Sequence, residues 1–208
     1  VEHPTGRKLP KVSLAAPVPK ERPFLTPDEI RVFVSAVKDT RYAVPALLAL
    51  SSLRISEIQA LQWEDIPANP KFIRVQGAVV LNADNKYQRK VQNKNTTSTR
   101  NVPMMIPELT AAIQRDRKPA GPVLDISQNS LRSAVKKICR ENNLPDVGVH
   151  GLRHSFASVA NSQGVPMFDI SRTLGHSSMT VTSNIYTHLF DDTEAQALAA
   201  VARAIEKA

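Results

Sequence analysis

The chain has 208 residues, enough for one large domain with a substantial core. Lysine and arginine number 27 against 19 acidic residues, a net charge of +8 with a pI near 9.8, and that surplus favours a polyanionic partner. The single Cys139 excludes an intrachain disulfide and a cysteine-cluster zinc site. No apolar run approaches membrane-spanning length and no signal-peptide pattern opens the chain, so a cytoplasmic protein without membrane association is expected.

Residues 1–23 carry Pro4, Pro10, Pro17, Pro19 and Pro23 among scattered basic residues. Proline removes backbone donors, so this stretch is expected to be an extended linker. Together with a start at Val1 rather than methionine, it suggests a piece of a longer protein. Thr26-Pro27-Asp28-Glu29 then combines an N-cap threonine, proline at the first helical position and a capping-box glutamate. Ile30, Phe33, Val34 and Val37 follow at helical spacing. A buried helix over Val44 to Leu50 and another from about Arg54 to Leu61 come next.

The pattern changes at Lys71. Phe72 to Gln76, roughly Tyr87 to Gln92, and Arg100 to Pro103 are short and β-prone with turn-rich joins, which predicts a three-stranded antiparallel meander. Helices are expected again over about Pro107 to Arg115, Gln128 to Asn142, Gly151 to Asn161, Met167 to Leu174, Met179 to Phe190 and Glu194 to Lys207. Gly164 and Gly175 are natural helix stops. The helix at Gln128 sets Leu131, Ala134, Val135 and Ile138 against Arg132, Lys136, Lys137 and Arg140. That is either an ordinary amphipathic surface helix or a stripe facing DNA, with Arg132 and Lys136 as backbone contacts. Cys139 fits as a small apolar filler in the same helix.

Several polar groups stand out by order and spacing. In His150-x-x-Arg153, imidazole and guanidinium lie three apart on a helix and can approach one oxyanion together. His150 and His154 also have the spacing of a zinc pair, but no zincin glutamate accompanies them, and no metal is expected. Arg54-Ile55-Ser56-Glu57 sets an acid three positions after an arginine, which is either a solvated helix salt bridge or, in a phosphate site, a carboxylate fixing the guanidinium. Lys94 falls in the join between the second and third strands, where an ammonium either solubilises a turn or protonates a leaving oxygen. Lys86, Arg89 and Lys90 make that hairpin a basic finger for a DNA backbone, and Arg100 is a further candidate DNA contact. Tyr186, on an expected amphipathic helix, is either a packing residue or a nucleophile.

Arg54-Ile-Ser-Glu57, Lys94 in a hairpin, His150-x-x-Arg153, Leu174-Gly175-His176 and Tyr186, in this order, resemble the catalytic domain of the tyrosine recombinase (phage integrase) family. The resemblance runs from about Phe24 to Phe190, and its wording is nearest to integrases of phages and conjugative transposons. Two departures stand out. Ser51-Ser52-Leu53 precede Arg54 where the family often has Thr-Gly, and the hairpin around Lys94 is long and lacks the usual glycine, which makes Lys90 a competitor for the catalytic lysine.

The resemblance implies an α+β fold, mostly helical with a small three-stranded antiparallel sheet. It also implies a catalytic domain over 24–190 after a linker from a separate core-binding domain, and a C-terminal helix over 191–208 that either packs at home or docks on a neighbouring protomer. The implied partner is double-stranded DNA, bound by a homotetramer that is monomeric when free, in a bacterial or phage-encoded protein. The implied reaction is DNA transesterification without cofactor or metal. Tyr186 forms a 3′-phosphotyrosyl link and Arg54 and Arg153 hold nonbridging oxygens. His150 accepts the tyrosine proton, His176 bonds a nonbridging oxygen, and Lys94 protonates the departing 5′-oxygen. Two alternatives use the same residues differently: a type IB topoisomerase-like relaxing enzyme, and a noncatalytic DNA-binding module.

Overall fold

The structure, a computed structural model, describes residues 23–67, 70–82, 84, 87–91 and 99–175. Seven helices and four strands lie in these residues. Helix α1 (Pro27–Val37) starts on the expected capping box: the Glu29 carboxylate accepts from the Thr26 backbone N–H at 2.7 Å, and Thr26 Oγ1 accepts from the Glu29 N–H at 3.4 Å. Phe33, Val34 and Val37 turn inward from it.

Helix α2 (Ala43–Leu50) is apolar on every side, and all eight of its residues are buried. A helix hydrophobic all round has only the core to occupy. Helices α1, α3 (Ile55–Ala60), α4 (Pro107–Asp116), α5 (Gln128–Glu141) and α6 (Val149–Ser162) all pack on it. Pro45 is tolerated inside α2 because it falls in the first turn, where N–H groups have no intrahelical acceptor. Helix α5 buries Leu131, Ala134, Val135 and Cys139 and leaves Arg132, Lys136 and Arg140 exposed. Burial pushes the Cys139 thiol up, as suits an inert filler. Helix α7 (Met167–Leu174) closes the described chain, and Ile170 and Leu174 pack with Ala157 of α6 in a second, smaller core. Gly164 and Gly175, at φ +76° and +62°, supply the left-handed positions that end α6 and α7, as expected. Among the described residues no helix is long and apolar enough to cross a membrane.

The β region departs from the expected meander. Strand β1 (Phe72–Val75) pairs antiparallel with β4 (Arg100–Pro103), and β2 (Gly77–Leu81) with β3 (Tyr87–Val91), making two separate two-stranded ladders. The missed strand is Gly77-Ala-Val-Val-Leu, whose unbroken apolar run lacks the alternation that marks a half-buried strand. The extended chain breaks at Gln76, so one stretch serves two ladders. Ile73, Val75 and Val102 carry the β1–β4 ladder into the main core, while β2 lies against α3. The expected helices over 179–190 and 194–207 fall outside the described residues.

Candidate active site

Helix α3 starts one residue later than expected. Arg54 is its N-cap, with extended backbone (φ −76°, ψ 151°), so its side chain leaves from the turn that joins α2 to α3. Ser52, in that turn, is fully buried at φ +84°, a left-handed conformation that disfavours any residue with a Cβ. The turn aims the Ser52 carbonyl inward.

That carbonyl and the end of α7 organise the site. The last carbonyls of a helix lack intrahelical partners and carry partial negative charge. Here three consecutive ones are taken by three arginines from three elements. Arg100 Nε of β4 donates to the Thr173 carbonyl at 2.7 Å, Arg153 Nη2 of α6 to that of Leu174 at 2.6 Å, and Arg54 Nη2 to that of Gly175 at 2.9 Å. The Ser52 carbonyl accepts from Arg153 Nη1 and, at 3.3 Å, from Arg100 Nη2. Ser52 Oγ adds a bond to the Thr173 carbonyl at 3.2 Å.

Glu57 is the carboxylate of the cluster. Its Oε1 accepts from Arg54 Nη1 and Arg100 Nη1, both at 2.9 Å, and its Oε2 from the Arg54 backbone N–H at 2.7 Å and Arg100 Nη2 at 2.9 Å. Burial pushes this carboxyl up. The Arg100 fork, the Arg54 N–H and the two positive charges reverse that push and hold it below the ordinary carboxylate range. The Glu57 and Arg100 side chains are 5% and 7% exposed, whereas Arg54 is 34% exposed. Arg54 is therefore the member turned toward solvent, with two of its five N–H groups engaged by described residues.

The expected grouping of Arg54, Glu57 and Arg153 is thus present, with both guanidiniums on adjacent carbonyls. His150 lies exposed in the first turn of α6, one turn before the buried Arg153. His154 is buried, its ring edge-on to Phe24 with centroids 6.0 Å apart. A strap from the start of the domain crosses this helix: the Leu25 N–H donates to Ser155 Oγ at 2.8 Å, and Ser155 Oγ donates to the Gly151 carbonyl at 2.9 Å. Lys86, Lys94, His176 and Tyr186 lie outside the described residues, although His176 directly follows Gly175 in sequence.

The expectation for Arg100 needs correction. Its guanidinium is enclosed by Glu57, Ser52 and Thr173 rather than laid on a surface a DNA backbone could reach. In sequence this arginine reads as a DNA contact because nothing local marks its distant partners. Of the remaining candidates, Arg89 forms an ion pair with Asp65 at 2.7 Å, while Lys90, Arg132 and Lys136 are exposed. Lys136 approaches Asp146 at 3.2 Å.

A mostly helical domain with small antiparallel ladders has the architecture of an integrase catalytic domain. The integrase of the Tn1549 transposon, solved in complex with transposon right end DNA, superposes with a TM-score of 0.68 over 88% of this chain and 67% of its own, at 24% identity. The phage integrase family model matches residues 23–193, and the chain belongs to that family, the tyrosine recombinases. A XerC-like tyrosine recombinase of Caldanaerobacter subterraneus is 32% identical over 192 residues, 78% of this chain and 49% of the relative. A putative prophage phiRv2 integrase of Mycobacterium tuberculosis is 26% identical over 184 residues, 82% of this chain and 48% of the relative. The chain thus spans about half the length of these curated relatives.

Proposed function

We propose that this chain is the catalytic domain of a site-specific recombinase that breaks and rejoins double-stranded DNA, serving integration or excision of a mobile element. The phenolic oxygen of Tyr186 attacks the scissile phosphorus. A 3′-phosphotyrosyl bond forms, the bond from phosphorus to the 5′-oxygen breaks, and Lys94 protonates the departing oxygen. Attack by a 5′-hydroxyl of a partner duplex reverses these steps and releases Tyr186. A phosphodiester is exchanged for another phosphoester at each step, so no external energy source is required. His150 receives the tyrosine proton. Arg54, Arg153 and His176 bind the nonbridging oxygens, where preorganised donors of this kind contribute about 3–4 kcal/mol each to the transition state.

The observation that best supports this reading is the meeting of Arg54 and Arg153 at the carbonyls of Leu174 and Gly175, immediately before His176 in the chain. Among the described residues of this cluster, three guanidiniums stand with the Glu57 carboxylate, a surplus of positive charge suited to an anion. Relatives with Xer names and a prophage integrase both match the chain, and the mobile-element role is favoured by the wording of the Leu174-Gly175-His176 and Tyr186 motifs. The deciding experiment incubates the protein with nicked suicide DNA and looks for a denaturation-resistant adduct. Tyr186→Phe should abolish the adduct and keep DNA binding. An adduct that persists in the variant refutes Tyr186 as the nucleophile.

A further inference from the structure

We infer that Arg100 is a positioning residue of this site: it fixes Arg54 through Glu57 and clamps the end of α7, without itself touching DNA. The inference rests on the proposed recombinase reading. Its geometric basis is the use Arg100 makes of its planar fork. Nη1 and Nη2 each donate to a different oxygen of Glu57 at 2.9 Å. Nε turns the other way, onto the Thr173 carbonyl at 2.7 Å. The same carboxylate oxygens receive the side chain and backbone N–H of Arg54. Arg100 and Arg54 therefore share one carboxylate, and the position of the exposed guanidinium depends on the buried one.

Gly175 supplies a second, independent sign. A Cβ there would lie 2.8 Å from Arg100 Nη1 and 3.2 Å from its Cδ and Cζ. The backbone just before His176 is thus laid directly over the Arg100 side chain. Arg100 is also the first residue of β4, so the same side chain anchors the strand that pairs with β1. One residue joins two parts of the proposed machinery, the Arg54 turn and the α7 end, to the β1–β4 ladder.

Lysine cannot reproduce this role, because an ammonium is a point charge without a fork. In Arg100→Lys of the 208-residue chain, DNA affinity, measured in a Tyr186→Phe background, should be unchanged. Single-turnover adduct formation at saturating suicide DNA should fall about 10²-fold, the scale expected when a reacting group is displaced by about 1 Å. Amide hydrogen exchange at residues 173–175 should quicken while that of α2 stays as in the wild type, which shows that the variant is folded. Arg100→Met should behave likewise, and if it fails to fold, Arg100→Lys decides alone. Adduct formation at the wild-type rate in folded Arg100→Lys overturns the proposal. So does a parallel fall in DNA affinity and cleavage, which marks a direct DNA contact. If the wild type gives no adduct, the recombinase reading fails and hydrogen exchange still decides the clamp: unchanged exchange at 173–175 overturns it, and faster exchange supports it.

Discussion

Replacing Glu57 by glutamine tests the electrostatic design of the site most directly. The carboxylate accepts four hydrogen bonds, two on each oxygen, and three of them come from guanidiniums. An amide retains one accepting oxygen, so two of the four bonds are lost and an NH2 group is turned toward the donors that made them. Removing one partner of a buried ion pair costs about 3–5 kcal/mol, because the surviving charges stay buried. With a urea slope of about 1–3 kcal/mol per molar for a small protein, the unfolding midpoint should fall by more than about 1 M. The pH dependence has a definite sign. The folded carboxyl titrates below its ordinary value of 4.5, so its contribution is complete above that value and is lost as pH falls through the lower folded one. The groups facing it are Arg54 and Arg100, with Asp65, Arg74 and Arg89 around the adjoining hollow. The gap between wild type and Glu57→Gln should be constant near neutrality and should close in acid. Urea titrations from neutral pH downward measure both features. A variant as stable as the wild type at pH 7, or a gap that widens in acid, refutes the reasoning.

Two further substitutions probe the backbone that carries the cluster. Gly175→Ala should lose about 1–2 kcal/mol from the left-handed backbone alone, and more from the 2.8 Å approach to Arg100 Nη1; urea unfolding of the variant checks this, and wild-type stability would contradict the packing. At Ser52, glycine and alanine both remove the hydroxyl bonded to Thr173, so Ser52→Gly should exceed Ser52→Ala in stability by about 1 kcal/mol through the +84° φ angle alone; equal unfolding midpoints for the pair would show that the angle carries no strain.

Local signals proved the most legible in the sequence. The capping box at Thr26, the apolar α2, the two-faced α5 and the glycine stops at 164 and 175 all depend on residues within a turn or two of each other. Gly77–Leu81 escaped because strand and buried helix look alike in a short apolar run. Arg54 appeared to belong inside a helix because spacing alone cannot separate an N-cap from a first turn. The burial of Arg100 was beyond sequence reasoning for a different reason: its partners lie 43, 48 and 73 positions away. The left-handed backbone of Ser52 was equally hidden, since a serine among Ser51-Ser52-Leu53 carries no local mark of a positive φ.

The division of labour among the arginines follows from their exposure. Arg153 and Arg100 are enclosed, and each buried guanidinium must be compensated locally or the site does not form. Carbonyls of Ser52, Thr173 and Leu174 supply part of that compensation with dipoles, and the Glu57 carboxylate adds a full charge beside Arg100. A second carboxylate would have made the buried arrangement easier to assemble and would also have halved its surplus positive charge. Among the described residues of this cluster, Glu57 is set against three guanidiniums, so positive charge is in surplus, and Arg54, a third exposed, is the member placed to present it outward. Loss of Glu57 and loss of Arg100 should therefore differ in kind. Without Glu57, the whole cluster repels itself and the fold weakens. Without the Arg100 fork, Glu57 still neutralises Arg54 but no longer fixes where it points, and the loss falls on the chemical step.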